Sequence, residues 1–377
     1  MRTLLAVPPL DVGTHHGIVR IASEDQFAID NTHYVTFVVQ PSKRLLIVGA
    51  DRDEADLLAG ALTAPLAVED PLAEYAIEIS EFLPSDEASW KEFAAVILID
   101  PPLPSPPARS LLEQYVQSGG QLLSLLGPSL ASDDPASAFP AGVVRTWRVP
   151  EPGTFLEIIR PNHPSVSTLR EIAGGVPWNA FRISQYWQMN ASEDDLIIAK
   201  YAGTDHPALI ERTSSKNAEQ AGVHFIMTTP LPALATATRG WNRLFSGADA
   251  WPAFLLTRNL VDAMVNRGQG NRNLLAGQST RLTLGDELVA NDVSRSSGVR
   301  LQMFPPTGPP VPLLATGSSV TLAQLDAPGT YWLRAQGAST GVSVNLVPEE
   351  LDLSRIDTAL LGEWMEPEQY TIAKSRD

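Results

Sequence analysis

The chain has 377 residues, 44% of them hydrophobic and 19% charged, with a formal net charge of −16 and no cysteine. That length accommodates two or three domains with cores of their own. The acidic balance works against nucleic acid or an anionic membrane surface, both of which need clustered Lys and Arg, and the missing cysteine excludes disulfides, thiolate nucleophiles and cysteine metal sites together. No stretch approaches the roughly 18 apolar residues of a membrane helix, and no charged-then-apolar leader is visible, so the chain as given reads as soluble.

Residues 1–40 read as a β segment. Residues 17–21 alternate, residues 34–39 are rich in β-branched and aromatic types, and residues 25–31 form the turn between them. Two or three strands cannot stand alone, so this partial β domain is expected to dock on something later in the chain. From 41 to 270 the pattern becomes strand, helix, strand. Apolar runs at 44–50, 94–100 and 119–127, with a further strand at 75–79, are separated by helical segments at 51–62, 86–92 and 108–116. The first of these helices opens on acids suited to a helix N-terminus and the last ends at Gly119-Gly120. This is βαβ grammar, and right-handed crossovers lay such strands parallel. Five further strands are expected at 155–159, 182–187, 196–201, 208–212 and 223–229, the last four as a meander or sheet extension. A helix at 253–267 closes the unit. Short strands with Pro/Gly turns then fill 271–350 in the spacing of an immunoglobulin-like sandwich. An acidic tail, weakly helical over 354–361, occupies 351–377.

Several runs resemble the central part of large bacterial membrane proteins of the BatA (aerotolerance-regulator) type, common in planctomycetes. They are Asp25-Gln26-Phe27-Ala28-Ile29-Asp30-Asn31 with the strand at 34–39, Asn162-His163-Pro164, the strand at 207–212, Thr228-Thr229-Pro230 followed by Trp241-Asn242, and Pro328-Gly329-Thr330-Tyr331 leading into 344–353. The resemblance implies a flavodoxin-like, class I glutamine-amidotransferase-like α/β domain with a mostly parallel sheet, set between β domains. It also implies an extracytoplasmic, membrane-associated location, with protein partners in a membrane-associated assembly. The von Willebrand domain and anchors of that family are not in this sequence, which would make it a soluble portion or a shortened member.

Class I amidotransferases place a cysteine in a tight strand-to-helix elbow, with His and Glu later in the chain. The matching turns here are Gly127-Pro128-Ser129 and the one after Asp100, and neither fits. Gly-x-Ser-x-Gly is absent, and Pro128 removes an N–H and stiffens the turn, so Ser129 reads as a loop serine. Ligands of doubly wound sheets bind at the carboxyl ends of the strands, which singles out Asp51, Asp53 and Asp100 as binding candidates. Asp51, Asp53 and Glu54 have oxygen ligands for a cation, but an acidic first turn that complements the helix dipole explains them as well. His15 and His16 are adjacent on a strand and face opposite ways. His163 and His206 precede prolines and suit turns. Trp241 and Asn242, in a Gly/Ser-rich loop, are the expected exposed part of an aromatic-rich region. No metal and no cofactor is implied. The expectation is therefore a non-catalytic scaffold or interaction module without the amidotransferase nucleophile. The alternative is a carbohydrate- or peptide-binding protein or hydrolase using the cleft near Asp51, Asp100 and Trp241, with a metal-dependent hydrolase at Asp51 and Asp53 as a third possibility.

Overall fold

The computed structural model describes residues 10–22, 30–64, 75–130, 139–172, 174–214, 222–230, 240–245, 250–267, 270–284, 288, 299–316, 319–335 and 338–347. The expected turn at 25–31 falls mostly outside these residues, and the tail at 351–377 entirely so. The chain divides into two compact units, one of residues 40–268 and one that joins residues 1–39 to residues 269–377.

The second unit in that sense begins with β1 (Gly13–Arg20) and β2 (Thr32–Val39), an antiparallel pair in which Gly13 faces Val39 and Arg20 faces Thr32. The other unit is α/β. Its first strand, β3 (Lys43–Gly49), leads into α1 (Arg52–Thr63), followed by β4 (Tyr75–Ser80), the single turn α2 (Glu87–Trp90), β5 (Ala95–Ile99), α3 (Pro106–Gln117) and β6 (Gln121–Leu125). Strands β7 (Val143–Arg148), β8 (Leu156–Ile158), β9 (Gln185–Met189), β10 (Leu196–Tyr201), β11 (Pro207–Thr213) and β12 (Val223–Met227) precede α4 (Trp251–Val265).

An eight-stranded sheet runs in the order β4-β3-β5-β6-β12-β11-β10-β8. Its first five strands are parallel and the last three pairings antiparallel. Alternation along the parallel strands builds two apolar layers. Leu45, Ile47, Ile97 and Leu123 pack with Leu58 of α1 and Leu256 of α4 on one face. Leu46, Leu98 and Leu122 pack with Trp90 of α2 and Leu112 of α3 on the other. Helices thus cover both faces, as buried parallel strands require. The helix ends follow the local chemistry. Asp51 caps α1, prolines open α3, and Gly119, at φ +102°, carries the chain out of α3 as the Gly120 N–H returns to Tyr115 O at 2.9 Å.

One expected strand sits elsewhere. The segment at 182–187 does not extend the sheet: β9 pairs antiparallel with β7, a strand the sequence reading did not anticipate, and β8 takes the edge position beside β10. Both segments are short mixtures of apolar and polar residues, and long-range partner choice is invisible to such local patterns.

The other unit continues with β13 (Asn273–Leu275), β14 (Thr280–Thr283), β15 (Val299–Phe304), β16 (Val311–Ala315), β17 (Ser319–Leu322), β18 (Gly329–Ala335) and β19 (Ala338–Asn345). β13 and β16 were not expected from the sequence; the first is three residues long and the second contains Pro312. These strands form a five-stranded sheet, β13-β19-β18-β15-β16, and a pair, β14-β17, around one core that includes Leu282, Leu301, Val320, Leu333 and Val342. The β1–β2 hairpin belongs to this unit. Asn345 Oδ1 accepts the Tyr34 N–H at 2.8 Å while its Nδ2 donates to Tyr34 O at 2.9 Å, and Asn273 grips Thr36 the same way at 2.7 and 2.9 Å. Two carboxamides thereby stand in for a neighbouring strand.

Candidate functional site

In the order β4-β3-β5-β6, the chain leaves β3 toward one edge and returns on its other side, so the topological switch lies between β3 and β5. The crevice outside the carboxyl ends of those strands is where doubly wound sheets hold ligands. Gly49 ends β3 in close contact with β5: a Cβ there would stand 3.2 Å from Ile99 Cβ. Asp51 follows, its Oδ1 accepting the N–H groups of Asp53 at 2.9 Å and Glu54 at 3.2 Å. This is an N-cap, which satisfies two of the orphan donors of α1. Asp53 is exposed on the first turn. Burial, and after it the charges of Asp51 and Asp100, push the Glu54 carboxyl up to about 7.

Asp100 ends β5 at φ +43°, a left-handed conformation uncommon for a residue with a Cβ. Its backbone N–H continues the ladder to Leu125 O at 2.9 Å. The strained turn aims its carboxylate across the end of β6, where Oδ1 accepts the Ser129 N–H and Oδ2 accepts the Ser129 hydroxyl, both at 2.8 Å. Only glycine fits beneath this pair, because a Cβ at position 127 would lie 2.5 Å from Asp100 Oδ1. Burial raises the Asp100 carboxyl above its ordinary range, and the two Ser129 bonds pull it part of the way back.

The rim therefore brings Asp51, Glu54, Asp100 and Ser129 together and gives most of their polar atoms structural partners. An oxyanion site needs free N–H groups. Pro101, Pro102 and Pro128 have none to offer, and that of Ser129 is bound to Asp100. The Ser129 hydroxyl donates to the Asp100 carboxylate, and among the described residues no histidine bonds it. Among the described residues no three His, Asp or Glu side chains converge as metal ligands.

Trp241 and Asn242, expected to be exposed, are buried. They are only 8% and 9% exposed. The Asn242 amide donates to Thr229 Oγ1 at 2.8 Å and Pro230 O at 2.6 Å while its Oδ1 accepts the Leu244 N–H at 3.0 Å, which folds the loop inward. The Trp241 ring then packs 5.9 Å from that of Trp187, among Leu130, Met189 and Ile226. Trp187 in turn donates its indole N–H to Gly127 O at 2.9 Å, so this aromatic pair buttresses the β6 turn from behind.

Among the described residues no histidine bonds a side chain of the rim. His163 Nε2 meets Glu211 Oε2 at 2.8 Å and its Nδ1 meets Ser165 Oγ at 2.7 Å, while Arg267 donates to Glu211 Oε1 at 2.8 Å. Serine, imidazole and carboxylate are in line, but Ser165 is fully buried, which denies a substrate access to its hydroxyl. Burial alone would raise the Glu211 carboxyl; the bonds from His163 and Arg267 outweigh it and hold it below the ordinary range. His206 bonds the Tyr186 hydroxyl at 2.7 Å. His15 stacks on Phe37, and His16, on the opposite side of β1, bonds Thr36 at 2.8 Å.

Sequence reading missed a second buried pair, Ser124 Oγ to His224 Nε2 at 2.8 Å, where β6 meets β12. Burial, reinforced by Arg212, lowers His224 to about 3, so it stays neutral. The available signal was a lone polar residue inside each of two apolar runs, since a buried polar group demands a partner.

No protein-family model and no curated protein matches the chain. Among solved structures it is similar to a cytoplasmic protein from Salmonella typhimurium, with 16% identity and TM-score 0.38, over 64% of this chain and 94% of that one. A ThuA-like protein from Bacteroides uniformis gives 15% and 0.41 over 61% and 94%. A β-galactosidase from Bacillus circulans gives 10% and 0.34 over 75% of this chain and 41% of that one.

Proposed function

We propose that the chain is a non-catalytic interaction module. In this reading its α/β unit is flavodoxin-like and class I amidotransferase-like, and the place of the nucleophile is taken by structural bonds. Its β unit is an immunoglobulin-like sandwich, and the whole serves protein partners in an extracytoplasmic, membrane-associated assembly. The observation that carries the reading is the Asp100–Ser129 lock. The Ser129 hydroxyl and N–H, just after the carboxyl end of β6, both bond the Asp100 carboxylate, at 2.8 Å each. The carboxylate that accepts the hydroxyl also occupies the Ser129 N–H, and prolines stand where further oxyanion donors would be, which leaves the charge of a nucleophilic attack without a stabiliser among the described residues. The burial of Trp241 and Asn242 removes the aromatic platform on which a sugar-binding reading depended.

The test is turnover by the full chain of glutamine, aryl esters and aryl glycosides, beside Ser129→Ala and Asp100→Asn. No activity that responds to either substitution is expected. A rate abolished by either substitution overturns the proposal.

A further inference from the structure

Where a sheet packs on one side only, alternate residues point to the core and the outward set is ordinarily polar. On β15, β16 and β18 the inward set is apolar and buried, as at Leu301, Ala315 and Leu333. The outward set mixes cations with apolar groups. Arg300, Gln302 and Phe304 of β15, Pro312 and Leu314 of β16 and Arg334 of β18 line a trough of about 780 Å³. Leu314 is 61% exposed. The Arg334 guanidinium lies 5.0 Å from the Phe304 ring centre and 5.7 Å from that of Trp332, which sets its direction while leaving its hydrogen-bond donors uncommitted. In a chain with 43 acidic and 27 basic residues, neither Arg300 nor Arg334 has a carboxylate partner among the described residues.

The remainder of this face shows how it is covered. Trp332 meets Arg334 on one side and the ring of His16 on the other, at 4.1 Å, where the β1–β2 hairpin lies across β18 and β19. Part of the face is thus occupied by an extended segment, and among the described residues none covers the part bearing Arg300 and Arg334.

We propose that this trough docks an extended, acidic segment of a partner protein. Carboxylates of the segment pair with Arg300 and Arg334, and apolar side chains on the same face of the segment, two positions from the carboxylates, lie on Phe304, Pro312 and Leu314. Charge complementarity selects this occupant, because two guanidiniums that have no carboxylate partner among the described residues and are framed by apolar surface match carboxylates spaced along a strand. The inference deepens the interaction-module reading and rests on it.

The probe is a fluorescein-labelled peptide of Glu-Ser-Val-Ser repeats, which puts Glu and Val on one face, with a Gln-Ser-Val-Ser peptide as control, titrated by polarisation against the full chain. The Glu peptide is expected to bind about tenfold more tightly than the Gln peptide. Arg300→Ala with Arg334→Ala should abolish that preference, and Leu314→Ser should weaken both peptides. Arg300→Glu, at an exposed position, serves should the double variant unfold, and it should reverse the preference. Equal binding of the two peptides, failure of both to bind, or a preference that survives the arginine substitutions overturns the proposal. So does a concentration-dependent dimer abolished by Leu314→Ser, which would assign the trough to a second copy of the chain. Any of these results leaves the module reading standing, since that reading falls only on turnover dependent on Ser129 or Asp100.

Discussion

The two halves of the eight-stranded sheet are built on different principles. In the parallel half, the strands β3, β5 and β6 bury leucine, isoleucine and valine on both faces, and charged groups are met only where the strands end. In the antiparallel half, polar groups go inside. Glu211 of β11 is 6% exposed beneath His163 and Arg267, and Tyr201 of β10 stacks 3.6 Å from Tyr186 with its hydroxyl bonded to Thr228. Burial of apolar area dominates the first half, with the Ser124–His224 pair as its buried polar exception, whereas the second specifies its pairing through bonds that one geometry satisfies. The acids at the parallel rim remain in reach of solvent and their loss is tolerable; those in the antiparallel half are structural.

Substitutions that remove polar groups should sharpen this contrast. Glu211→Ala leaves Arg267 and His163 facing a vacant, buried site and should cost about 4 kcal/mol in urea unfolding. A loss below about 1 kcal/mol would erase the distinction. Trp241→Ala should cost about 3 kcal/mol as a cavity beside Trp187; an unchanged midpoint would mean that the ring is not core.

At the rim the effects are smaller and one depends on pH. The folded chain holds the Glu54 proton up to about pH 7, against about 4.5 for an ordinary glutamate. This raised value means that stability falls as pH rises between those two values and is greatest, with respect to this group, below the lower one. Glu54→Gln should flatten that slope, raising stability by about 1.5 kcal/mol near pH 8 and leaving it unchanged near pH 4, after allowance for partial solvent screening. Parallel slopes for the two proteins would refute it. Asp51→Ala should cost about 1 kcal/mol through loss of the cap, measured near pH 5, where Glu54 is largely protonated.

The parallel half was legible because continuous apolar runs spaced by helix-length segments admit few arrangements. The acid-rich start of α1 and the glycines after α3 placed the helix ends, and with them Asp51, Asp53 and Asp100 at the strand termini. The antiparallel half was not legible to the same degree. The segments that became β8 and β9 carry similar patterns, and which of them joins β10 depends on contacts far away in sequence. Trp241 was misread because glycine and serine around it signal exposure, while the three bonds of the Asn242 side chain that bury the loop depend on Thr229, Pro230 and Leu244 being near in space. The Asp100–Ser129 lock was likewise beyond a one-dimensional reading, since its members are 29 positions apart.

The paired amide grips of Asn273 and Asn345 make the two units unequal in how they tolerate shortening. Removing the first 39 residues takes nothing from the α/β fold's own ladder. It strips the β unit of four backbone-to-carboxamide bonds at once and uncovers Ser343, which is fully shielded in the intact chain. Trimming from the amino end therefore damages the part of the molecule that lies farthest away in sequence.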